Sequence, residues 1–332
     1  MSLILKVLRS LVLAFLFLFI AGIVFEQVSR WQLEALKPDA TTFVSIGDRS
    51  LHFHKQGAGN KTVIFESGIG GDHVHWTDIQ AELSNSYTTL SYDRAGILWS
   101  DSTAEISLER YEKDLSMLLE LTDCPKPYIL VGHSFAGITL RSFIRDHAKD
   151  IAGIVFVDVT HPQLLEALSP ELQQVASSPP SELIKFLDGV GILRLMYSFT
   201  PFTRVVPKDH FFNVHAARYF YKILPGLLQE VEHEDALMLE AAKIRDFGDI
   251  PLVVITAEYP EGVERIDDPN LTREYLKIHH RLQQELLDLS TRSSQLMAEK
   301  SGHYVTLQEP ELIWETVEKI AATDTVQIRE GN

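Results

Sequence analysis

A single cysteine, Cys124, occurs in the whole chain. That excludes an intrachain disulfide and a cysteine-based zinc site, and its place in a loop before Pro125 makes it incidental. Positive charge is also scarce: 30 Lys and Arg against 46 Asp and Glu leave a net charge of −16. This balance argues against nucleic acid as a partner, because phosphate binding needs basic patches. A well-solvated acidic surface accounts for it. Internal repeats and low-complexity tracts are absent. The glycine-rich stretch from Ser67 to Gly71 lacks the Lys-Ser/Thr pair of a nucleotide loop. What is present is ordinary globular material, 45% hydrophobic and 23% charged, in 332 residues that suit one large domain with an insertion.

One long hydrophobic run does exist. Lys6 and Arg9 precede an apolar stretch from Leu11 to Phe25. With Val7 and Leu8 added and Arg9 snorkelling, it reaches the roughly 20 residues of a membrane-spanning helix. The basic residues ahead of it predict a cytoplasmic N-terminus and a chain body on the extracytoplasmic side. A cleaved signal peptide, which would leave the protein secreted, has a similar charged start and apolar middle. No Ala-x-Ala site follows Phe25, where the chain continues Glu26-Gln27-Val28-Ser29-Arg30. An uncleaved single-pass anchor is the expectation. Glu26 to Lys37 then reads as a short amphipathic stalk outside the fold, ending at Pro38.

Beyond residue 38 the periodicity alternates between the two kinds of regular structure. Thr41 to Ile46 and Ser50 to Lys55 alternate about the Gly47-Asp48 turn and predict an antiparallel hairpin. Short apolar runs predict buried strands at 61–66, 88–92, 128–131, 151–158 and 251–257, with a weaker one at 295–298. Helical spacing covers 76–83, 108–121, 135–145 and 271–289, and Tyr111, Leu115, Leu118 and Leu119 form the core stripe of the second of these. Strands alternating with helices indicate an α/β fold with a mostly parallel, doubly wound sheet. From 162 to 247 the pattern is helical and irregular, punctuated by Pro170, Pro179, Pro180, Pro201 and Pro207 and rich in Phe, Leu, Tyr and Met. A helical cap inserted between core strands has this appearance. The chain therefore divides into an anchor and stalk (1–37), a first core part (38–161), the cap (162–247) and a second core part (248–332).

The stretch on which function turns is Gly132-His133-Ser134-Phe135-Ala136-Gly137, between a strand and a helix. A serine on such a bend presents its hydroxyl outward, and the N–H of Phe135 lies at a helix start, free to stabilise an oxyanion. This resembles the nucleophile elbow of the α/β-hydrolase superfamily, Gly-x-Ser-x-Gly, with Ala136 in place of the last glycine. Asp93-Arg94-Ala95-Gly96 and the residues to Asp101 resemble that superfamily's Asp-Arg-x-Gly-x-Gly-x-Ser segment, departing at Leu98. Ser301-Gly302-His303, ahead of Gln308-Glu309-Pro310-Glu311, resembles its catalytic histidine loop. The resemblance runs from about Thr41 to Ala322.

The resemblance implies an α/β-hydrolase fold and a triad in chain order Ser, acid, His. Ser134 would attack a carbonyl carbon and His303 would carry its proton. Phe135 and, in the loop after the strand at 61–66, Ile69 would donate backbone N–H groups to the oxyanion. The Asp93-Arg94 segment would be structural. Asp158, ending a buried strand, is the favoured acid; Glu258, Glu261, Asp267 and Asp268 are the alternatives after the following strand. His133, next to the serine, reads as packing. His73 and His75 have metal-like H-x-H spacing, but no third ligand follows at metal-binding spacing, so they read as pocket lining. No metal and no cofactor is expected. The expected activity is hydrolysis of a carboxylic ester of an apolar small molecule through an acyl-enzyme. Amide or peptide hydrolysis, acyl transfer, and non-catalytic small-molecule binding on the same scaffold are the alternatives. With the anchor nearby, Phe186 to Val206 could touch the bilayer; plain packing over the site is the simpler reading.

Overall fold

The computed structural model describes residues 3–176 and 180–330, so Pro179 lies outside the described residues. Strands β1 (Phe43–Ser45), β2 (Ser50–Gln56), β3 (Thr62–Glu66), β4 (Thr88–Tyr92), β5 (Tyr128–His133), β6 (Ile151–Val157), β7 (Leu252–Tyr259) and β8 (Ser293–Gly302) form one sheet in the order β1-β2-β4-β3-β5-β6-β7-β8. β1 and β2 form the expected hairpin, and β2 also runs antiparallel to β4. Every pairing from β4 across to β8 is parallel. The sheet is thus the mostly parallel one the alternation predicted.

Parallel strands need crossover helices, and these bury both faces of the sheet. After α1 (Leu3–Glu34), the helices α2 (Thr77–Leu83), α3 (Leu108–Leu121), α4 (Ala136–Thr139) and α5 (Arg141–His147) accompany the first five strands. In β5 the period of two shows directly. Ile129 and Val131 pack with Trp76, Ile79 and Leu83, whereas Tyr128 and Leu130 pack with Leu115, Leu118 and Phe143. All are buried. The predicted stripe of α3, Tyr111, Leu115, Leu118 and Leu119, faces inward.

Between β6 and β7 the cap comprises α6 (Leu164–Ala167), α7 (Pro170–Ala176), α8 (Ser181–Gly189), α9 (Ile192–Phe199) and α10 (Phe211–Ala241). α11 (Pro269–Glu285) follows β7, and α12 (Val305–Gln308) and α13 (Pro310–Glu330) follow β8.

Three elements differ from expectation. The helix expected over 135–145 breaks at Leu140. There Arg141 Nε donates to the Gly137 carbonyl at 2.8 Å, taking the acceptor its own backbone N–H would use in a continuous helix. β8 is longer than its weak apolar signal, because an edge strand is held by its backbone ladder to β7 and tolerates polar faces. The stalk is not a separate element. α1 continues through it to Glu34 and packs on the cap, with Glu26 fully buried.

Candidate active site

The parallel strands end on one side of the sheet, where open α/β sheets hold their ligands. Ser134 follows β5 there with φ 54°, and Asp158 follows β6 with φ 45°. Such left-handed backbone costs a non-glycine residue on the order of 1–3 kcal/mol and persists only where neighbours enforce it. The neighbours are visible. Ser134 N donates to the Val157 carbonyl, and the Ser134 carbonyl accepts from Gly137 N at 3.1 Å and Thr160 N at 2.7 Å. Asp158 N donates to the Ile255 carbonyl at 2.7 Å.

His303, just past β8, reaches Asp158: its Nδ1–H donates to Oδ2 at 2.7 Å. The other carboxylate oxygen accepts from Ala257 N at 3.0 Å. His279 of α11 stands 3.1 Å from that same Oδ1, though not aligned as a hydrogen bond. Burial opposes ionisation of Asp158, but His279 and His303 outweigh it and hold its pKa far below the ordinary carboxylate value. For His303, burial disfavours the charged ring, while Glu261 and then Asp158 raise its pKa above the ordinary imidazole value. Glu261 Oε2 lies 3.5 Å from His303 Nε2, the nitrogen left open by Asp158. Among the described residues the Ser134 hydroxyl makes no hydrogen bond to His303.

Ser134, Asp158 and His303 all line one cavity of about 330 Å³. A second, about 230 Å³, also borders Ser134 and His303 and is walled by Phe202, Phe212, Phe220 and Tyr304. Ile69, Leu227 and Glu261 border both. The loop carrying Ile69 is pressed against the serine: a Cβ on Gly68 would stand 2.9 Å from Ser134 Cβ. Gly70 N and Gly71 N are hydrogen-bonded to Glu230 and Gly68. Among the described residues the N–H groups of Ile69 and Phe135 donate to nothing. Two unengaged donors thus flank the serine.

A buried ion network braces that loop. Arg94 donates to the carbonyls of Ser67 and Gly68, each at 2.6 Å, to Glu66 at 2.9 Å, and to both oxygens of Glu230 on α10. The Asp93-Arg94 segment was expected to be structural, and its side chains do hold the loop. Glu230 had one signal in the sequence: it falls on the buried stripe of α10 with Ile223 and Gly226, where a carboxylate needs a cation. Of the alternatives for the acid, Glu261 lines the cavity, and Asp268 caps α11 through Asn270 N. His279 lines the same cavity and touches Asp158, a contact that nothing in its helical spacing marks.

The other histidines divide by partner. His133 Nε2–H donates to the His303 carbonyl at 2.9 Å, and burial keeps its ring neutral. His73 and His75 diverge. His75 pairs with Thr306 Oγ1, and burial lowers its pKa to about 4. His73 Nδ1 and His52 Nδ1 each meet one oxygen of Asp93 at 2.8 Å. The two imidazoles thus both face the same carboxylate, which they hold ionised.

The uncharacterized protein YqjL of Bacillus subtilis (strain 168) is 24% identical over 263 residues, covering 78% of this chain and 83% of that protein. A thermophilic esterase from Thermogutta terrifontis superposes with a TM-score of 0.56 at 17% identity, over 85% of this chain and 97% of its own. Epoxide hydrolase VrEH1 from Vigna radiata superposes with a TM-score of 0.63 at 15% identity, over 85% and 97%. At these identities the structural likeness is one of fold. The sequence profile of the Alpha/beta hydrolase family matches residues 63–316, from β3 through the His303 loop into α13, and the chain belongs to that family.

Proposed function

We propose that the protein is a membrane-anchored serine hydrolase that cleaves a carboxylic ester of an apolar small molecule, with Ser134, His303 and Asp158 as its triad. The observation that carries this reading is one juxtaposition. A serine on enforced left-handed backbone shares a cavity with an imidazole whose far nitrogen is tied to a buried carboxylate.

His303 Nε2 takes the Ser134 hydroxyl proton as Oγ attacks the ester carbonyl. The tetrahedral oxyanion is received by the Ile69 and Phe135 N–H groups, worth about 3–4 kcal/mol per donor. His303 then protonates the leaving alkoxide, and the acyl group remains on Ser134. Water attacks next, giving its proton to His303, and the acid leaves as the serine recovers its proton. Asp158 keeps Nδ1 protonated so that Nε2 is the base. The open hydroxyl–imidazole gap suits a free enzyme, in which catalytic hydrogen bonds close only around substrate. The aromatic wall of the smaller cavity supports an apolar acyl or alkyl group.

The anchor is read as retained because α1 supplies buried partners to the cap. Glu26 pairs with Arg194 of α9 at 2.6 Å, and Arg30 with Asp188 of α8 at 2.6 Å. The apolar part of α1 is long and hydrophobic enough to cross a bilayer and is exposed in the fold. Lys6 and Arg9 ahead of it favour an extracytoplasmic catalytic domain. The test is labelling with a fluorophosphonate probe alongside hydrolysis of p-nitrophenyl esters. The expected result is labelling of the native protein at Ser134, and loss of both labelling and hydrolysis in Ser134→Ala. Full hydrolysis by that variant would remove the reading.

A further inference from the structure

The outer face of the cap is built unlike the rest of the surface. α8 carries Leu183 and Phe186, and α9 carries Ile192, Leu195, Met196 and Phe199, at the three- and four-residue spacings that line one helix face. All six are exposed, Phe199 at 74%. The inward side of α9 is held by buried Leu193.

This face adjoins α1 at a defined height. The rings of Phe19 and Phe186 stack with centroids 6.1 Å apart. Gly22 passes so close to the turn after α8 that a Cβ there would meet the Val190 carbonyl oxygen at 2.6 Å. One turn further on, buried Glu26 receives Arg30 and Arg194. Charge therefore clusters just past Phe25, where the apolar run ends. Phe19 lies about 9 Å inside that end, at 1.5 Å of rise per residue. A bilayer that encloses the run encloses Phe186 at the same depth.

The aromatic surface also continues inward. Tyr197 of α9 lies 5.6 Å from Phe202 between ring centroids. Phe202 lies 6.2 Å from Phe212, and Phe212 lies 6.2 Å from Tyr304, the residue after His303. Phe202, Phe212 and Tyr304 wall the smaller cavity beside Ser134. An apolar lining thus connects the exposed helix to the reactive hydroxyl.

We propose that the α8–α9 face is seated among the acyl chains of the leaflet crossed by the C-terminal half of α1. The substrate of the Ser134 site is then an ester-bearing amphiphilic lipid that enters laterally along this lining. The seating rests on the reading of α1 as a retained anchor, and the substrate class rests on the esterase reading. The cap's apolar area is then covered by lipid, and the charged cluster at Glu26 stands at the headgroup boundary.

The seating is tested on the full-length chain in phosphatidylcholine vesicles. In a Cys124→Ser background, a nitroxide is placed singly at Leu195→Cys, Phe199→Cys, Phe15→Cys or Lys149→Cys, and its collisions with oxygen and with a water-soluble nickel chelate are compared. Oxygen is expected to dominate at 195 and 199 as at 15, and nickel at 149. Nickel access at 195 and 199 equal to that at 149, with 15 still oxygen-dominated, overturns the seating. Nickel access at 15 as well overturns it by removing the anchor beneath it. Lateral entry is tested with Leu195→Asp/Phe199→Asp in the same vesicles. Hydrolysis of a bilayer-embedded fluorogenic diacylglycerol is expected to fall about ten-fold or more while hydrolysis of soluble p-nitrophenyl acetate holds within about two-fold. Equal loss of both, or loss of neither, overturns lateral entry. Absence of all hydrolysis in the unchanged protein strikes the esterase reading and lateral entry with it, while the nitroxide depths still decide the seating.

Discussion

Two carboxylates face His303, and they do different things. Asp158 is buried and hydrogen-bonded to Nδ1, whereas Glu261 is half exposed beside Nε2. A base must be neutral to accept a proton, so a raised imidazole pKa narrows activity on the acid side. Removing the Glu261 charge removes a contribution that raises that pKa. Glu261→Gln should therefore move the acid limb of kcat/KM to lower pH, with more activity retained below neutrality; a pH profile of ester hydrolysis measures it. An unmoved or upward-shifted limb would show that Glu261 does not govern His303. Asp158→Asn should act differently. It keeps the side chain's shape but loses the tautomer, so kcat near neutral pH should fall by about 10⁴, a loss far larger than any shift of the acid limb that removing its charge also brings. These two variants distinguish the buried carboxylate from its exposed neighbour, a distinction that chain order alone leaves open.

At the scale of elements, α10 does more than roof the cavity. Through Glu230 it grips Arg94 and the Gly70 N–H, tying one cap helix to the loop bearing Ile69. Breaking a buried ion pair by removing one partner costs about 3–5 kcal/mol, since it leaves an uncompensated charge. Glu230→Ala should destabilise the fold by about 3 kcal/mol, at the low end because Glu66 still faces Arg94, with a lower midpoint in urea unfolding. kcat should fall with it, as the Ile69 donor loses its fixed position. In α3 the expectation is simpler. Leu115→Ala should cost about 2–5 kcal/mol with little change in KM, because Leu115 only fills the core on one face of the sheet. The periodicity of α3 announced its buried stripe in the sequence. The partner of Glu230 was not announced, because an ion pair 136 residues apart leaves no local pattern.

Across the whole molecule, the N-terminal apolar helix, the cap and the candidate site form one continuous arrangement. The buried Glu26, bridged to Arg30 and Arg194, makes α1 part of the cap's packing. Glu26→Ala leaves two guanidinium groups without that carboxylate, so the detergent-solubilised full-length protein should melt at a lower temperature than the native one. An unchanged melting temperature would mean that α1 and the cap are independent. The sequence by itself determined the strands, most helices, the doubly wound sheet, the inserted cap and the apolar N-terminal helix. Those features are written in short-range periodicity, in the serine bend and in hydropathy, all of which act between neighbours in the chain. Only the tertiary structure decided that His279 joins Asp158, that Glu230 braces the loop of Ile69, and that α1 docks on the cap. Those contacts join residues far apart along the chain, and whether a charge meets its counter-charge there depends on how distant surfaces pack, which no local spacing encodes.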